Sequence, residues 1–208
     1  MSPKAKEPSA EAGAERVATI ARKTKETAIR IRIDLDGSGQ YDVSTGIPFF
    51  DHMLESFARH GLFDLEIEAK GDVEVDFHHT VEDVGISLGQ AFREALGSAS
   101  GIRRFGSCLL PMAESKVEVA VDVSNRPYLV YQMSLDNDRI GSFDASLVED
   151  FMYAFSQTAG IDLHVEKRYG KSPHHCVEAA FKGLARALRD AVAIDPRETG
   201  LPTVKGAL

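Results

Sequence analysis

One polar cluster occurs twice in this chain, and its repetition limits what the chain can fold into. DFHHTVEDVG (76–85) and SPHHCVEAAF (172–181) each carry a histidine pair with a glutamate three residues after the second histidine. The segments around them repeat in the same order. The apolar stripe of PFFDHMLESFARHG, at helical spacing, returns in ASLVEDFMYAFSQTAG, and the alternating FDLEIEA returns in IDLHVEK. Phe57 and Asp64 map onto Phe155 and Asp162 at an offset of 98, and His78 onto His174 at 96, so a loop has lost two residues. Two copies of a repeat this long imply two similar halves paired about a pseudo-twofold axis, not a stacked solenoid. The expected class is α+β, two similar halves with amphipathic helices packed on mostly four-stranded sheets.

One domain is expected over residues 18–208, with halves at about 24–105 and 106–195 and a C-terminal tail. Residues 1–17, rich in Ala, Glu, Lys, Pro and Ser, read as a disordered extension. ETAIRIRIDLDGSGQYDV alternates around DGSG and reads as a β-hairpin. Asp34, Asp36, Ser38 and Gly39 match positions 1, 3, 5 and 6 of an EF-hand loop. Position 12 is Thr45 and no helix precedes it, so a plain turn is the better reading.

A length of 208 residues with 43% hydrophobic content suits one domain or two halves sharing a core. The net charge of −8 argues against a general nucleic-acid binder. It leaves room for an anionic substrate held by a few local Arg and Lys. Cys108 and Cys176 form neither a disulfide framework nor a CxxC zinc pair. With no apolar run of membrane-spanning length and no signal-peptide core, a cytoplasmic protein without a membrane partner is expected.

Ser172 is a good N-cap and Pro173 a good first helical residue, which places His174 and His175 in the first turn of a helix. His78 and His79 should sit similarly. The macrodipole there disfavours imidazolium, and neutral imidazole is the form that binds metals. Residues i and i+4 share a helix face, so His78 with Glu82, and His174 with Glu178, can each grip one ion. The second histidine of each pair is rotated by roughly 100° and must serve elsewhere. If two such helices meet about the pseudo-twofold, His79 completes the site of His174 and Glu178, and His175 that of His78 and Glu82. The repeat pairs His52 with Asp150 as fourth ligands. The expected sets are His52, His79, His174, Glu178 and His78, Glu82, Asp150, His175. Imidazole and carboxylate without thiolate suits Mn, Fe or Zn. His60 and His164 fall outside both sets and read as structural or surface residues, and Cys176 as a packing residue.

The segments TGIPFFDHMLESFARHG, both HH motifs and RRFG...PMAES...DVSNRPYL resemble imidazoleglycerol-phosphate dehydratases, from about Lys23 to Lys205. The resemblance implies removal of water from imidazoleglycerol phosphate to give imidazoleacetol phosphate, in histidine biosynthesis. It implies two Mn(II) ions per active site and a homo-oligomer of 24 subunits with sites between subunits. The same eight metal ligands follow from it. It also assigns Glu26 to the active site, and Arg104, Arg126, Lys182, Thr203 and Lys205 to the substrate's phosphate, which gives the C-terminal tail a substrate-binding role. Convergent cationic donors are what a phosphate needs. Three positions depart from the family pattern. Asp150 stands where many members have histidine, Asn125 replaces the glycine of an SGRP turn, and Val204 replaces a tail hydroxyl. Asn tolerates a left-handed backbone, so the turn should survive.

No carbonyl acidifies the C–H bond that this dehydration breaks. Metal binding at the substrate's ring nitrogens lowers the ring's pKa and lets its electrons expel the adjacent hydroxyl. A carboxylate, Glu26 or Glu178, then removes the next carbon's proton. Two other classes would use some of the same residues. A dinuclear metallohydrolase would act on esters or amides, and a metal-binding shell protein would assemble without turnover.

Overall fold

Alternating residues build two sheets of one design. The computed structural model describes residues 15–135 and 139–204. Its first half supplies β1 (Val17–Lys23), β2 (Thr27–Asp34), β3 (Tyr41–Ser44) and β4 (Asp64–Gly71). They lie in the order β1-β2-β4-β3, antiparallel except that β3 runs parallel to β4. The second half supplies β5 (Phe105–Met112), β6 (Ser115–Asp122), β7 (Tyr128–Gln132) and β10 (Asp162–Tyr169), in the matching order β5-β6-β10-β7. Again the outer strand, β7, is parallel to its neighbour. A small pair, β8 (Arg139–Ile140) with β9 (Phe143–Asp144), lies between β7 and the next helix. The helices are α1 (Pro48–Gly61), α2 (His78–Leu96), α3 (Leu147–Ala159) and α4 (Pro173–Val192). The expected α+β class with four-stranded sheets is what the chain forms.

Each sheet buries one face. Ile29, Ile31 and Ile33 of β2, and Val117, Val119 and Val121 of β6, turn inward, while Arg30 alternates outward. α2 packs on β1, β2 and α3, and α4 on β5, β6 and α1. The helices therefore lie between the sheets, and the halves join helix to helix. The repeat mates Phe57 and Phe155 meet edge-to-face at this junction, with ring centroids 6.2 Å apart, and Phe92 joins Phe155 at 5.8 Å. All three are fully buried, and each contributes about 1.5–3 kcal/mol. Small residues set the spacing. A Cβ on Gly89 of α2 would stand 2.6 Å from the Phe155 carbonyl oxygen of α3.

The hairpin expected around DGSG does not form, because β4 pairs between β2 and β3. β2 finds an eight-residue antiparallel partner in β4, whereas β3 offers only four residues. Asp64, the first residue of β4, staples the turn. Its carboxylate accepts the backbone N–H of Ser38 at 2.7 Å and of Gln40 at 2.9 Å. A carboxylate thus satisfies the turn's amides, as a plain turn requires.

The first sheet also begins earlier than residue 24. β1 is the counterpart of β5, and Arg16 before it pairs with Asp36 and donates to the Val192 carbonyl at 2.7 Å. Residues 1–14 of the expected extension lie outside the described residues.

Candidate metal centre and active site

α4 starts as its sequence dictates. The Ser172 hydroxyl accepts the His175 N–H at 3.3 Å and Pro173 opens the helix. α2 starts at His78, whose N–H donates to the Asp76 carboxylate at 2.8 Å. Both histidine pairs therefore occupy first turns, and four residues on, Glu82 and Glu178 share a face with His78 and His174.

His52 of α1 meets His174 and Glu178 of α4, with one ligand atom from each within 4.8 Å of the others. His174 Nε2 lies 3.1 Å from Glu178 Oε2, and His52 Nε2 lies 3.6 Å from Glu178 Oε1. Among the described residues this is the only trio drawn so close. Lys182, one turn further along α4, places Nζ 2.6 Å from Glu178 Oε1. Burial pushes the Glu178 carboxyl up, but Lys182, His52 and His174 outweigh it, so the group sits below its ordinary range. It is a carboxylate at neutral pH, the form a metal takes.

The second set is looser. His78 Nε2 lies 3.7 Å from Glu82 Oε2, and His78 Nδ1 lies 3.3 Å from Asp150 Oδ2. His78 and Asp150 border a cavity of about 460 Å³ that Arg139 and Asp144 also line. The first donor set fits a first-row divalent ion, being imidazole and carboxylate at i, i+4 spacing plus one imidazole from a neighbouring helix. In the second, His78 turns Nε2 to Glu82 and Nδ1 to Asp150, so the ring has to turn before one nitrogen can share an ion with both carboxylates.

The second histidines go elsewhere. His79 Nδ1 faces the Asp72 carboxylate at 3.1 and 3.2 Å, and His175 Nδ1 lies 2.7 Å from Glu114 Oε2. The Asp72 hydrogen bond raises the His79 pKa. The Ser172 N–H first, and His175 next, hold Glu114 well below the usual carboxylate range. In this chain the helix that packs against α2 is α3, and the one that packs against α4 is α1. His79 does not join the close trio at Glu178. Asp72 and Glu114 were not singled out from the sequence. A signal for Glu114 existed, because the registers of β2 and β6 superpose Thr27 on Ser115 and hence Glu26 on Glu114.

Glu26 is exposed on the β1–β2 turn. Thr24 Oγ1 accepts the N–H groups of Glu26 at 3.1 Å and Thr27 at 2.9 Å. Thr27 Oγ1 donates at 2.5 Å to Asp83 on α2, which also accepts from Arg22 Nε at 2.9 Å. The turn that carries Glu26 is thus fixed to the helix that carries His78, His79 and Glu82.

Arg104 and Arg126 line a cavity of about 750 Å³ with Arg103 and Thr203. Arg104 is held by Asp122, with Nε to Oδ1 at 2.6 Å and Nη2 to Oδ2 at 3.0 Å, and its Nη1 donates to the Pro202 carbonyl at 3.0 Å. Asp122 keeps the guanidinium pKa above its ordinary value. Arg103 is an additional cation that the sequence reading passed over beside Arg104. Lys182 lies on Glu178 rather than on this cavity, and Lys205 lies outside the described residues. Asn125 adopts φ +55°, the left-handed turn expected of it. His60 is half-buried, and burial with Lys182 and Arg186 lowers its pKa. Cys176 is buried, with Sγ 3.4 Å from Ser115 Oγ.

Residues 45–188 match the sequence profile of the family described as imidazoleglycerol-phosphate dehydratase. The chain belongs to this family. It is 56% identical over 194 residues to the imidazoleglycerol-phosphate dehydratase of Azorhizobium caulinodans, covering 93% of this chain and 98% of the relative. It is 55% identical over 195 residues to that of Symbiobacterium thermophilum, covering 94% of each. The crystal structure of the dehydratase from Staphylococcus aureus superposes with a TM-score of 0.79 at 35% identity, covering 86% of this chain and 99% of that one. The Pyrococcus furiosus enzyme, solved in complex with (S)-C348, gives 0.79 at 36% identity, covering 91% and 100%. As a member of the dehydratase family, the chain is a hydro-lyase.

Proposed function

We propose that this protein converts imidazoleglycerol phosphate to imidazoleacetol phosphate and water in histidine biosynthesis, as a metal-dependent cytoplasmic enzyme. The observation that carries the reading is the doubled His–Glu chelate on α2 and α4, each joined by one residue of another helix, His52 or Asp150. His52, His174 and Glu178 would hold one ion and His78, Glu82 and Asp150 another. His79 and His175 would complete these sites from another copy of the chain. Two Mn(II) per active site is the proposed complement, with Fe or Zn as alternatives. A homo-oligomer of 24 subunits with sites between subunits is the proposed assembly.

Ions held by these residues would supply Lewis-acid charge that lowers the pKa of the substrate's ring and so favours departure of the neighbouring hydroxyl. The chain's own groups do the rest. The Arg104 and Arg126 guanidiniums, with Thr203 and Lys205, would hold the phosphate, and Arg103 adds charge to the same cavity. Lys182 would keep Glu178 ionised beside the ring. Glu26, on a turn tied to α2 through Thr27 and Asp83, would remove the proton from the carbon next to the ring-bearing one. The resulting enol becomes the ketone.

The test is turnover of imidazoleglycerol phosphate by chelated protein, with and without added Mn(II). Turnover that returns only with metal is the expected result. A folded, metal-loaded protein with no turnover would sink the dehydratase reading and direct attention to ester and amide substrates.

A further inference from the structure

The second histidines have a feature in common that the repeat does not explain. Each has Nδ1 against a carboxylate, yet the two carboxylates come from different places. Asp72 follows β4, whereas Glu114 sits in the β5–β6 turn. Inheritance from one ancestral half would have put them in the same place. The shared geometry was reached by two routes, which points to a requirement on the histidines themselves. Both imidazoles are 36% exposed, and the hydrogen bonds and ion pairs of both, among the described residues, are made through Nδ1.

A neutral imidazole whose Nδ1–H donates to a carboxylate keeps its lone pair on Nε2. We propose that Asp72 and Glu114 are positioning residues that fix this tautomer and aim Nε2 of His79 and His175 at an ion held mainly by another copy of the chain. This rests on the metal-dependent reading above. It goes beyond that reading by assigning roles to two residues that touch no ion. Partners of this kind typically change metal affinity by roughly 10–100-fold when removed.

The two carboxylates are held differently, and that gives a discriminating test. Glu114 Oε1 accepts from the N–H groups of Ser172 at 2.8 Å and Lys171 at 3.3 Å, and from Ser115 Oγ at 2.9 Å. Oε2 alone faces His175 Nδ1. In Glu114→Gln the amide oxygen stays on those donors, so the NH2 is pressed against Nδ1 and drives the ring proton to Nε2. Asp72 turns both oxygens to His79 and makes no other side-chain hydrogen bond among the described residues. In Asp72→Asn the amide is free to rotate and present its oxygen.

The experiment is Mn(II) titration of the full chain, followed by the paramagnetic resonance signal of free Mn(II), with thermal melting as a check on folding. Glu114→Gln and Asp72→Ala should each weaken about half of the sites roughly 10–100-fold and leave the other half and the melting curve unchanged. Asp72→Asn should bind within a few-fold of wild type. Wild-type affinity in both Glu114→Gln and Asp72→Ala overturns the proposal. Equal weakening by Asp72→Asn and Asp72→Ala also overturns it, because charge rather than tautomer would then be responsible. Wild-type protein that takes up no Mn(II) fails earlier and overturns the metal reading itself.

Discussion

At the residue scale, the chemistry turns on which carboxylates are held by metal-site neighbours and which are left free to move a proton. Glu178 is buried among Lys182, His52 and His174, whereas Glu26 is exposed on a turn whose hydrogen bonds leave its carboxylate unused. Glu26→Gln should therefore leave metal content intact and cut turnover by roughly 10²–10⁴-fold; normal turnover would remove Glu26 from the proton transfer. Asp64 makes a different prediction. The Gln40 N–H and the other amides of the DGSG turn hold its pKa below the ordinary value. Its stabilisation is full above the unfolded pKa of about 4 and is lost as pH falls through the lower folded value. Asp64→Asn should cost about 1 kcal/mol at pH 7, a Tm lower by about 2–4 °C. The gap between the melting curves of the two proteins should begin to shrink near pH 4 and close once the pH is below the lowered folded pKa; a gap that does not shrink as pH falls would place the effect elsewhere than in the carboxylate.

At the element scale, the helices are what align the two halves, and their close approach depends on small residues. Gly89 of α2 faces the Phe155 carbonyl and the Thr158 hydroxyl of α3. Thr158 Oγ1 donates to the Ile86 carbonyl of α2 at 3.0 Å, so a polar contact also spans the pair. Gly89→Ala should force the helices apart and destabilise by about 1–3 kcal/mol, read as a lower denaturation midpoint. Because α2 carries His78 and Glu82 and α3 carries Asp150, the same change should weaken Mn(II) binding at that set more than at the set of His52. Equal weakening at both would show that the α2–α3 spacing does not set the site. The helices and the inward faces of most strands were legible from their apolar periods. The β2–β3 hairpin was misread because alternation and a Gly-rich turn specify a strand pair locally. They carry no information about β4, which arrives later in the chain and supplies a longer partner.

At the scale of the whole molecule, one chain presents one close trio, His52, His174 and Glu178, a looser set at His78, and two histidines turned away from both. On the proposed metal-dependent reading, a complete four-ligand site requires a second copy. Removing metal should loosen the assembly, and light scattering before and after chelation should show particles shrinking toward smaller species. Particles of unchanged size would mean that the subunits hold together without shared ions. No described helix is long and apolar enough to cross a membrane.

The sequence by itself determined the duplication, the α+β class, and the candidate i, i+4 chelates of His78 with Glu82 and His174 with Glu178. These depend on local periodicity and helix geometry, which residue order alone fixes. It also placed His52 and Asp150 near those chelates, because a repeat carries a position in one half onto the other. Only the tertiary structure decided that β4 separates β2 from β3, that α2 and α4 pack on different partners, and that Asp72 and Glu114 take the second histidines. Those outcomes are contacts between segments far apart in the chain. They are set by which surfaces bury best together and by which donors then still need an acceptor.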